Sequence, residues 1–355
     1  MFLYGAGEII FKVKDLFVKR IRKFIVLLFS VSLLFLCGCS QSNEDEVRKA
    51  KRFEALKGLP LDTVLTRAFK FYERFQATGD TLLRDSMNDY RDHFFARWEL
   101  TSDSLCGTVA PDDSLAAELR EIYKVAMAFY AKNTYWYTLD KTQRESLVKK
   151  DSVPLIELSE PSGNLKDLED NTYLINAVIA DIPLKEAVSG LKKAYSIYDS
   201  IYFVQRMNVM YFDTSASDTN EMDKIDMFHA RRDGRKEAKV ACMDKTPMGH
   251  KLLILNKEYE SLLNDFMNAK VDWEHWDWPL WRKIQSFWIP KIFVTSLFGG
   301  GFLFKSPPII YNAVFNKSHD LVILDVGEGD QGWYYYLSKK NGKWELVKIE
   351  DGWFS

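Results

Sequence analysis

The Asn341-Gly342 pair restricts the fold more than any other short segment, because it stands between two strand-like runs. Residues 333–340 and 343–349 are rich in aromatic and aliphatic side chains. Asn and Gly both accept positive φ, which a two-residue hairpin turn requires. A further apolar run at 321–326 predicts a third strand. The sequence therefore predicts an antiparallel β-meander that closes the fold.

A two-residue turn also fixes which side chains face each other across the hairpin. The side-chain period of a strand is two, so a slip of one residue would move every side chain to the other face. The predicted cross-strand pairs are Leu337 with Leu346, Tyr336 with Val347, and Lys339 with Trp344.

The first half of the chain after residue 60 has the apolar spacing of helices. A weaker repeat of the same kind covers 81–98. Asp62 or Thr63 is the predicted cap of the first helix, and Ser114 opens the clearest one. The predicted buried stripes are Leu65, Phe69, Tyr72 and Phe75 in the first helix, and Leu115, Leu119, Ile122, Ala126 and Phe129 in the helix from Ser114.

The middle of the chain favours short strands at 135–139, 153–158 and 173–179. Residues 194–212 mix aromatic and β-branched side chains without a dominant period, so helix and strand both stay open there. The polar stretch 213–223 is the predicted boundary between two parts. The expected class is α+β, with a helix-rich N-terminal half and a C-terminal antiparallel meander.

The start of the chain has the layout of a secretory signal. Lysine and arginine are frequent in residues 12–23, and residues 24–36 form an uncharged apolar run. That run is shorter than the roughly 20 residues that a membrane-spanning helix needs. It ends in the sequence Leu36-Cys37-Gly38-Cys39.

This ending resembles the lipobox of bacterial lipoproteins, an aliphatic residue and two small ones before the modified cysteine. The resemblance implies that Cys39 carries a lipid; an uncleaved signal anchor is the alternative. Ser40 and the acidic run 44–46 resemble the segment after the lipidated cysteine in Bacteroides-type lipoproteins. This second resemblance implies attachment to the outer membrane, on the periplasmic or the cell-surface face.

The C-terminal run from Gly332 to Lys348, with Pro307, Pro308 and the segment 314–316 before it, resembles the ending of many uncharacterised Bacteroides-type lipoproteins. This resemblance implies an envelope location and no assigned activity. The predicted parts are a signal peptide at 1–38, a tether at 39–60, a helix-rich region at 61–215 and an α+β region at 216–355.

Charge and cysteine content exclude some classes of partner. The chain has 48 basic and 50 acidic residues, a net charge of −2, so nucleic acid is not an expected partner. Outside the export signal only Cys106 and Cys242 remain, and a disulfide and two free thiols are both open. The cysteine spacing gives no metal motif, and we expect no metal and no cofactor.

Five tryptophans fall within the sixteen residues 273–288. Pro279 and a cap at Asp277 predict a helix that buries Trp281 and Trp288. The three tryptophans before or at the start of this helix form a hypothetical platform for sugar rings, although burial is the common fate of tryptophan. They are Trp273, Trp276 and Trp278.

Candidate catalytic groups are weak. Glu274, His275 and Asp277, and His229 with Asp233, are close in sequence, but neighbouring positions point apart. We interpret these histidines as surface residues, and the catalytic residues stay unknown.

Seven segments have the order Asp, then Ser or Thr, then an aliphatic residue or Met, which resembles the acceptor of periplasmic O-glycosylation in Bacteroides-type bacteria. Helices also begin in this way, so capping is the competing interpretation. We expect at least one of these hydroxyls to be glycosylated, and an intact mass of the native protein equal to polypeptide plus lipid would refute this. The hydroxyls are those of Thr63, Thr81, Ser86, Ser104, Ser114, Ser152 and Ser200.

The sequence thus predicts an envelope lipoprotein held at the membrane by its N-terminal lipid, with no assigned molecular activity. Non-catalytic binding of a glycan or a protein partner is the favoured function. An envelope hydrolase acting on glycan, peptide or lipid is the alternative, and a structural subunit of an envelope complex is the third.

Overall fold

The chain has an α+β fold. In the computed structural model, helices dominate the first half and a six-stranded sheet closes the second. The residues described by the structure are 54–110, 112–147, 176, 178–195, 201–213, 225–270, 278–288, 290–292, 295–296, 302–328 and 331–354.

Side-chain caps begin several of the helices. Asp113, Asp226 and Asn256 each accept a hydrogen bond from the backbone N–H three residues later, and Asp80 accepts one from the N–H of Leu82. The helices are α1 (Leu61–Thr78), α2 (Thr81–Gly107), α3 (Ser114–Thr138), α4 (Lys141–Leu147), α5 (Leu184–Ala194), α6 (Met227–Asp233), α7 (Lys257–Asn268) and α8 (Trp278–Trp288).

The predicted cap of α1 is wrong. The helix begins at Leu61, directly after Pro60, and the capping position makes no side-chain hydrogen bond. Proline fixes its own φ, here −57°, so the chain enters the helix earlier than Asp62 and Thr63 would require. Of the predicted stripe, Leu65, Phe69 and Tyr72 are buried, whereas Phe75 is partly exposed.

The six-stranded sheet is mixed, because β2 pairs parallel with β7 while the other neighbours are antiparallel. Its strand order is β10-β9-β8-β7-β2-β3, and β1 pairs with β4 and β5 with β6 in two smaller sheets. The strands are β1 (Phe203–Arg206), β2 (Asn208–Phe212), β3 (Arg235–Lys239), β4 (Leu252–Leu255), β5 (Thr295–Ser296), β6 (Phe302–Leu303), β7 (Ile309–Phe315), β8 (Leu321–Glu328), β9 (Gln331–Lys340) and β10 (Lys343–Phe354).

The predicted meander is confirmed, and it contains four strands, β7 to β10. Asn341 and Gly342 form its last turn with φ of 51° and 77°. Leu337 faces Leu346 and Lys339 faces Trp344, as predicted.

The third predicted pair of this hairpin is wrong, because Tyr336 faces Lys348 and not Val347. A β-bulge between Leu346 and Lys348 leaves Val347 without an opposite residue and shifts the following pairs by one.

Two of the predicted short strands are helical where the structure describes them. Residues 135–138 are the last turn of α3, since buried Trp136 extends the packed side of that helix. Asn176, Val178 and Ile179 are also helical. The open segment 194–212 contains β1 and β2, whereas 153–158 and most of the predicted boundary at 213–223 lie outside the described residues.

The chain divides into two units, residues 1–93 and 94–355, with the division inside α2. In the first unit, Arg67 donates to the Tyr90 hydroxyl at 3.4 Å and Phe71 packs on the Tyr90 ring. In the second unit, buried side chains of α3 and α5 share one apolar core with the sheet. That core covers one of the two sheet faces.

An aromatic group in the second unit holds the end of α2 against α7 and α8. Trp98 stacks on Tyr259 with ring centroids 4.9 Å apart, and its indole N–H donates to the carbonyl of Ile254. Trp288 is fully buried, as predicted. The side chain of Trp281 lies outside the described part.

A disulfide joins Cys106 at the end of α2 to Cys242, which follows the edge strand β3. Of the two alternatives that the sequence left open, the structure has the disulfide. It closes a loop with a sequence separation of 136 residues.

Replacing both cysteines with serine should lower the free energy of unfolding by roughly 2–5 kcal/mol, because the cross-link restricts the unfolded chain. Urea unfolding with and without a thiol reductant measures this. Reductant should destabilise the wild type and leave the double variant unchanged. A urea midpoint of the wild type that does not change with reductant would contradict the Cys106–Cys242 disulfide.

Candidate functional site

The aromatic platform predicted from sequence cannot be placed. Trp273 and Trp276 lie outside the described residues. Trp278 is the first residue of α8, but its side chain is outside the described part. Cys39 and the predicted export signal also lie outside the described residues.

The predicted acceptor hydroxyls that the structure describes all belong to α1, α2 and α3. Asp80 and Asp113 cap the helices that Thr81 and Ser114 begin, so the capping interpretation explains those two segments. Ser86 donates to the carbonyl of Leu82 within its own helix. Thr63 lies in the first turn of α1, Thr81, Ser104 and Ser114 are exposed, and Ser152 and Ser200 lie outside the described residues.

The expectation that His229 and Asp233 point apart is wrong. They are four residues apart on α6, which places them on one helix face, and His229 Nδ1 lies 3.5 Å from Asp233 Oδ2. Both side chains are exposed, and Asp233 also accepts a hydrogen bond from Arg232. This is a surface pair, while Glu274, His275 and Asp277 lie outside the described residues.

The side chains that the structure does bring together lie on the sheet face opposite α3. Strand alternation turns Trp333, Tyr335 and Leu337 toward the α3 core and leaves Tyr334 and Tyr336 on the other side. We call this side the polar face, and it comprises Tyr211, Asn312, Asp325, Tyr334, Tyr336, Lys348 and Glu350 together with Arg231 of α6.

The sheet register arranges the polar face in two rows across the strands. The two rows are Asn312–Asp325–Tyr334–Glu350 and Tyr211–Val314–Ile323–Tyr336–Lys348. Ile225 and Ala230, which is in α6, pack on the apolar members of the second row. Tyr211, Tyr334 and Tyr336 remain partly exposed.

Asp325 is the buried charge of the polar face, with 5% of its surface exposed. Its Oδ2 accepts hydrogen bonds from Arg231 Nη2 at 2.6 Å and from Asn312 Nδ2 at 3.0 Å. A buried carboxylate is costly unless donors replace its lost water, and these two groups do so. Asp325 is therefore held in one place by two donors from this chain.

The outer edge of the polar face carries a second hydrogen-bonded group. The Tyr336 hydroxyl donates to Glu350, Lys348 forms an ion pair with Glu350, and the Lys348 ammonium lies 5.2 Å from the Tyr336 ring centroid. Partial burial would raise the pKa of Glu350, but the hydrogen bonds from Lys348 and Tyr336 outweigh it and the pKa is lowered. Glu350 is ionised at neutral pH.

A further contact joins Tyr311 of β7 to Lys305, which precedes that strand. Burial, and then the charge of Asp325, raise the pKa of the Tyr311 phenol. The Lys305 ammonium lies 5.3 Å from the Tyr311 ring centroid. Burial, and then repulsion by Arg206, lower the pKa of Lys305 to about 8.

This arrangement offers ring faces, fixed donors and fixed acceptors on one sheet surface, which are the groups that orient a polar ligand. Sequence reasoning missed it. The available signal was Asp325, a charged residue inside the apolar run 321–326, together with the tyrosines that alternate with core residues in β9. A charged residue in a buried strand is usually paired with another polar or charged side chain.

Comparison with protein-family models, curated proteins and solved structures finds no match to this chain. Among the helices that the structure describes, none combines the length and the apolarity needed to cross a membrane. Within the same residues, His, Cys, Asp and Glu side chains form no group of three that could hold a metal ion. A function for the polar face must therefore be argued from the residues of this chain.

Proposed function

We propose that this chain is a lipid-anchored protein of the bacterial cell envelope that binds a glycan through its polar face. The observation that carries the proposal is the pair of partly exposed tyrosines, Tyr334 and Tyr336, beside the Asp325–Arg231 pair. Tyrosine rings contribute contact area with little loss of conformational entropy, and the charged pair supplies directional hydrogen bonds.

Two features support the envelope location. The Leu36-Cys37-Gly38-Cys39 sequence follows the basic and apolar segments of a secretory signal. The Cys106–Cys242 disulfide fits an oxidising compartment, since such bonds are rare in the cytosol. We propose the outer membrane as the site of attachment, on its periplasmic or cell-surface face, because Ser40 and the acidic run 44–46 follow the cysteine.

A glycan fits the polar face better than a catalytic substrate does. The carboxylate of Asp325 is engaged by two donors, and Glu350 is engaged by Tyr336 and Lys348. The pKa of Glu350 is lowered, whereas a general acid at neutral pH requires a raised pKa. Non-covalent binding is therefore the function we propose, and glycan hydrolysis has no support from these residues.

Replacing Cys39 with alanine should abolish incorporation of labelled palmitate and release the protein from the membrane fraction, because the thiol carries the acyl chains. Cys37→Ala is the matched control, since it removes a thiol two positions away and should leave labelling intact. Equal labelling of the two variants would contradict lipidation at Cys39.

Replacing Tyr334 with alanine should weaken binding of soluble envelope oligosaccharides by about tenfold, which corresponds to about 1.4 kcal/mol. Isothermal titration calorimetry with peptidoglycan fragments and surface polysaccharide fragments measures this. Tyr137→Ala is the control, because this tyrosine of α3 is 66% exposed and lies outside the polar face.

The comparison requires that Tyr334→Ala keeps the thermal unfolding midpoint of the wild type within a few degrees. Wild-type protein that binds none of the oligosaccharides, or equal affinities for the two variants, would contradict the proposal. Binding of a protein instead of these glycans would count against it as well.

A further inference from the structure

Lys305 differs from the other charged groups of this region because its ammonium makes no ion pair or hydrogen bond among the described residues. Its described contact is the face of the Tyr311 ring, with 5.3 Å between Nζ and the ring centroid. The charge of Glu260 raises the pKa of Lys305, but burial and Arg206 outweigh it. The cost of burying this ammonium is therefore only partly offset, and an external anion would offset more of it.

The backbone around Lys305 is fixed by buried hydrogen bonds. The N–H of Ser306 donates to the carbonyl of Val204 at 2.9 Å, and the Ser306 hydroxyl accepts from the N–H of Val204 at 2.9 Å. The Gln205 side chain donates to the carbonyls of Ser306 and Pro308 at 3.1 and 2.9 Å. These bonds fix the backbone position from which the Lys305 side chain extends.

The same contacts bring Lys305 beside Arg206. Arg206 follows Gln205 in β1, as Lys305 precedes Ser306, and the positive charge of Arg206 lowers the pKa of Lys305. Arg206 is paired with Glu260 of α7. Among the residues that the structure describes, the charged and titratable groups acting on Lys305 are thus Arg206 from β1, Glu260 from α7 and Tyr311 from β7, so one carboxylate serves two cations.

We propose that Lys305 and Arg206 together form a binding site for an oxyanion, a carboxylate or a phosphate group. Guanidinium presents two parallel N–H donors to such a group and ammonium supplies a compact charge. Tyr311 closes one side of the site with its ring. This site goes beyond the proposed glycan binding and does not depend on Tyr334 or Tyr336.

Occupancy of the site has a defined dependence on pH. The ammonium form of Lys305 binds the anion, so affinity is full below the pKa near 8 and falls as pH rises through it. By linkage, a bound anion stabilises the ammonium and raises the pKa of Lys305. Lys305 therefore reacts more slowly with acylating reagents when the anion is present.

Trace acetylation of the detergent-solubilised full chain, read by peptide mass spectrometry, tests the proposal at pH 8. Inorganic phosphate and acetate are the two probes, each compared with sodium chloride at equal ionic strength. At least one of them should slow acetylation of Lys305 by roughly fivefold. The internal control is Lys251, which pairs with Glu99 and is 51% exposed, and its rate should not change.

Two variants separate a site from a general salt effect. Arg206→Gln should lose the response to the effective anion, whereas Arg206→Lys should keep most of it because the charge remains. Response to phosphate alone, to acetate alone or to both supports the site and identifies the anion class.

Unchanged labelling of Lys305 with both probes, an equal change at Lys251, or a wild-type response in Arg206→Gln overturns the proposal. Loss of oligosaccharide binding in Tyr334→Ala leaves this result unaffected, so the two proposals fail separately.

Discussion

The parallel pairing of β2 with β7 is the constraint on which the polar face depends. Without it the meander of β7 to β10 would end at β7, and Tyr211 would have no place beside Val314. Asn208 secures the junction, because its amide donates to the carbonyl of Ile310 and its oxygen accepts from the Tyr123 hydroxyl of α3. All these atoms are buried, so loss of either bond would leave an unpaired polar group. The junction therefore ties the helix, β2 and the meander into one unit.

The hairpin at Asn341-Gly342 was predictable because its rules are local. A turn with positive φ and alternating side chains determines the pairs nearest to it, and Leu337 with Leu346 obeys that rule. The bulge at Val347 was not predictable, since an extra residue alters no turn signal. It matters for the site, because it turns Lys348 and Glu350 toward Tyr336 and Tyr334.

The parallel junction and the extent of α3 could not be read from the sequence for a different reason. Val209 pairs with Asn312, and no local signal joins segments so distant in the chain. Residues 135–138 have strand propensity, but packing of Trp136 in the core continues the helix. In both places tertiary contacts decide the structure. The same holds for the site residues, because the sequence does not show that Asp325 contacts Arg231 and Asn312.

Asp325 and Lys305 show two outcomes for a charge removed from water. Asp325 is more buried, yet two donors from this chain compensate its charge. Lys305 is less buried, but the charge of Arg206 opposes its ammonium, and the carboxylate of Glu260 is already paired with Arg206. Since desolvation of a charge must be offset by an opposite charge or a dipole, the uncompensated group is the one that gains most from an external anion. Asp325 thus fixes the positions of Arg231 and Asn312, and Lys305 is the group at which we propose anion binding.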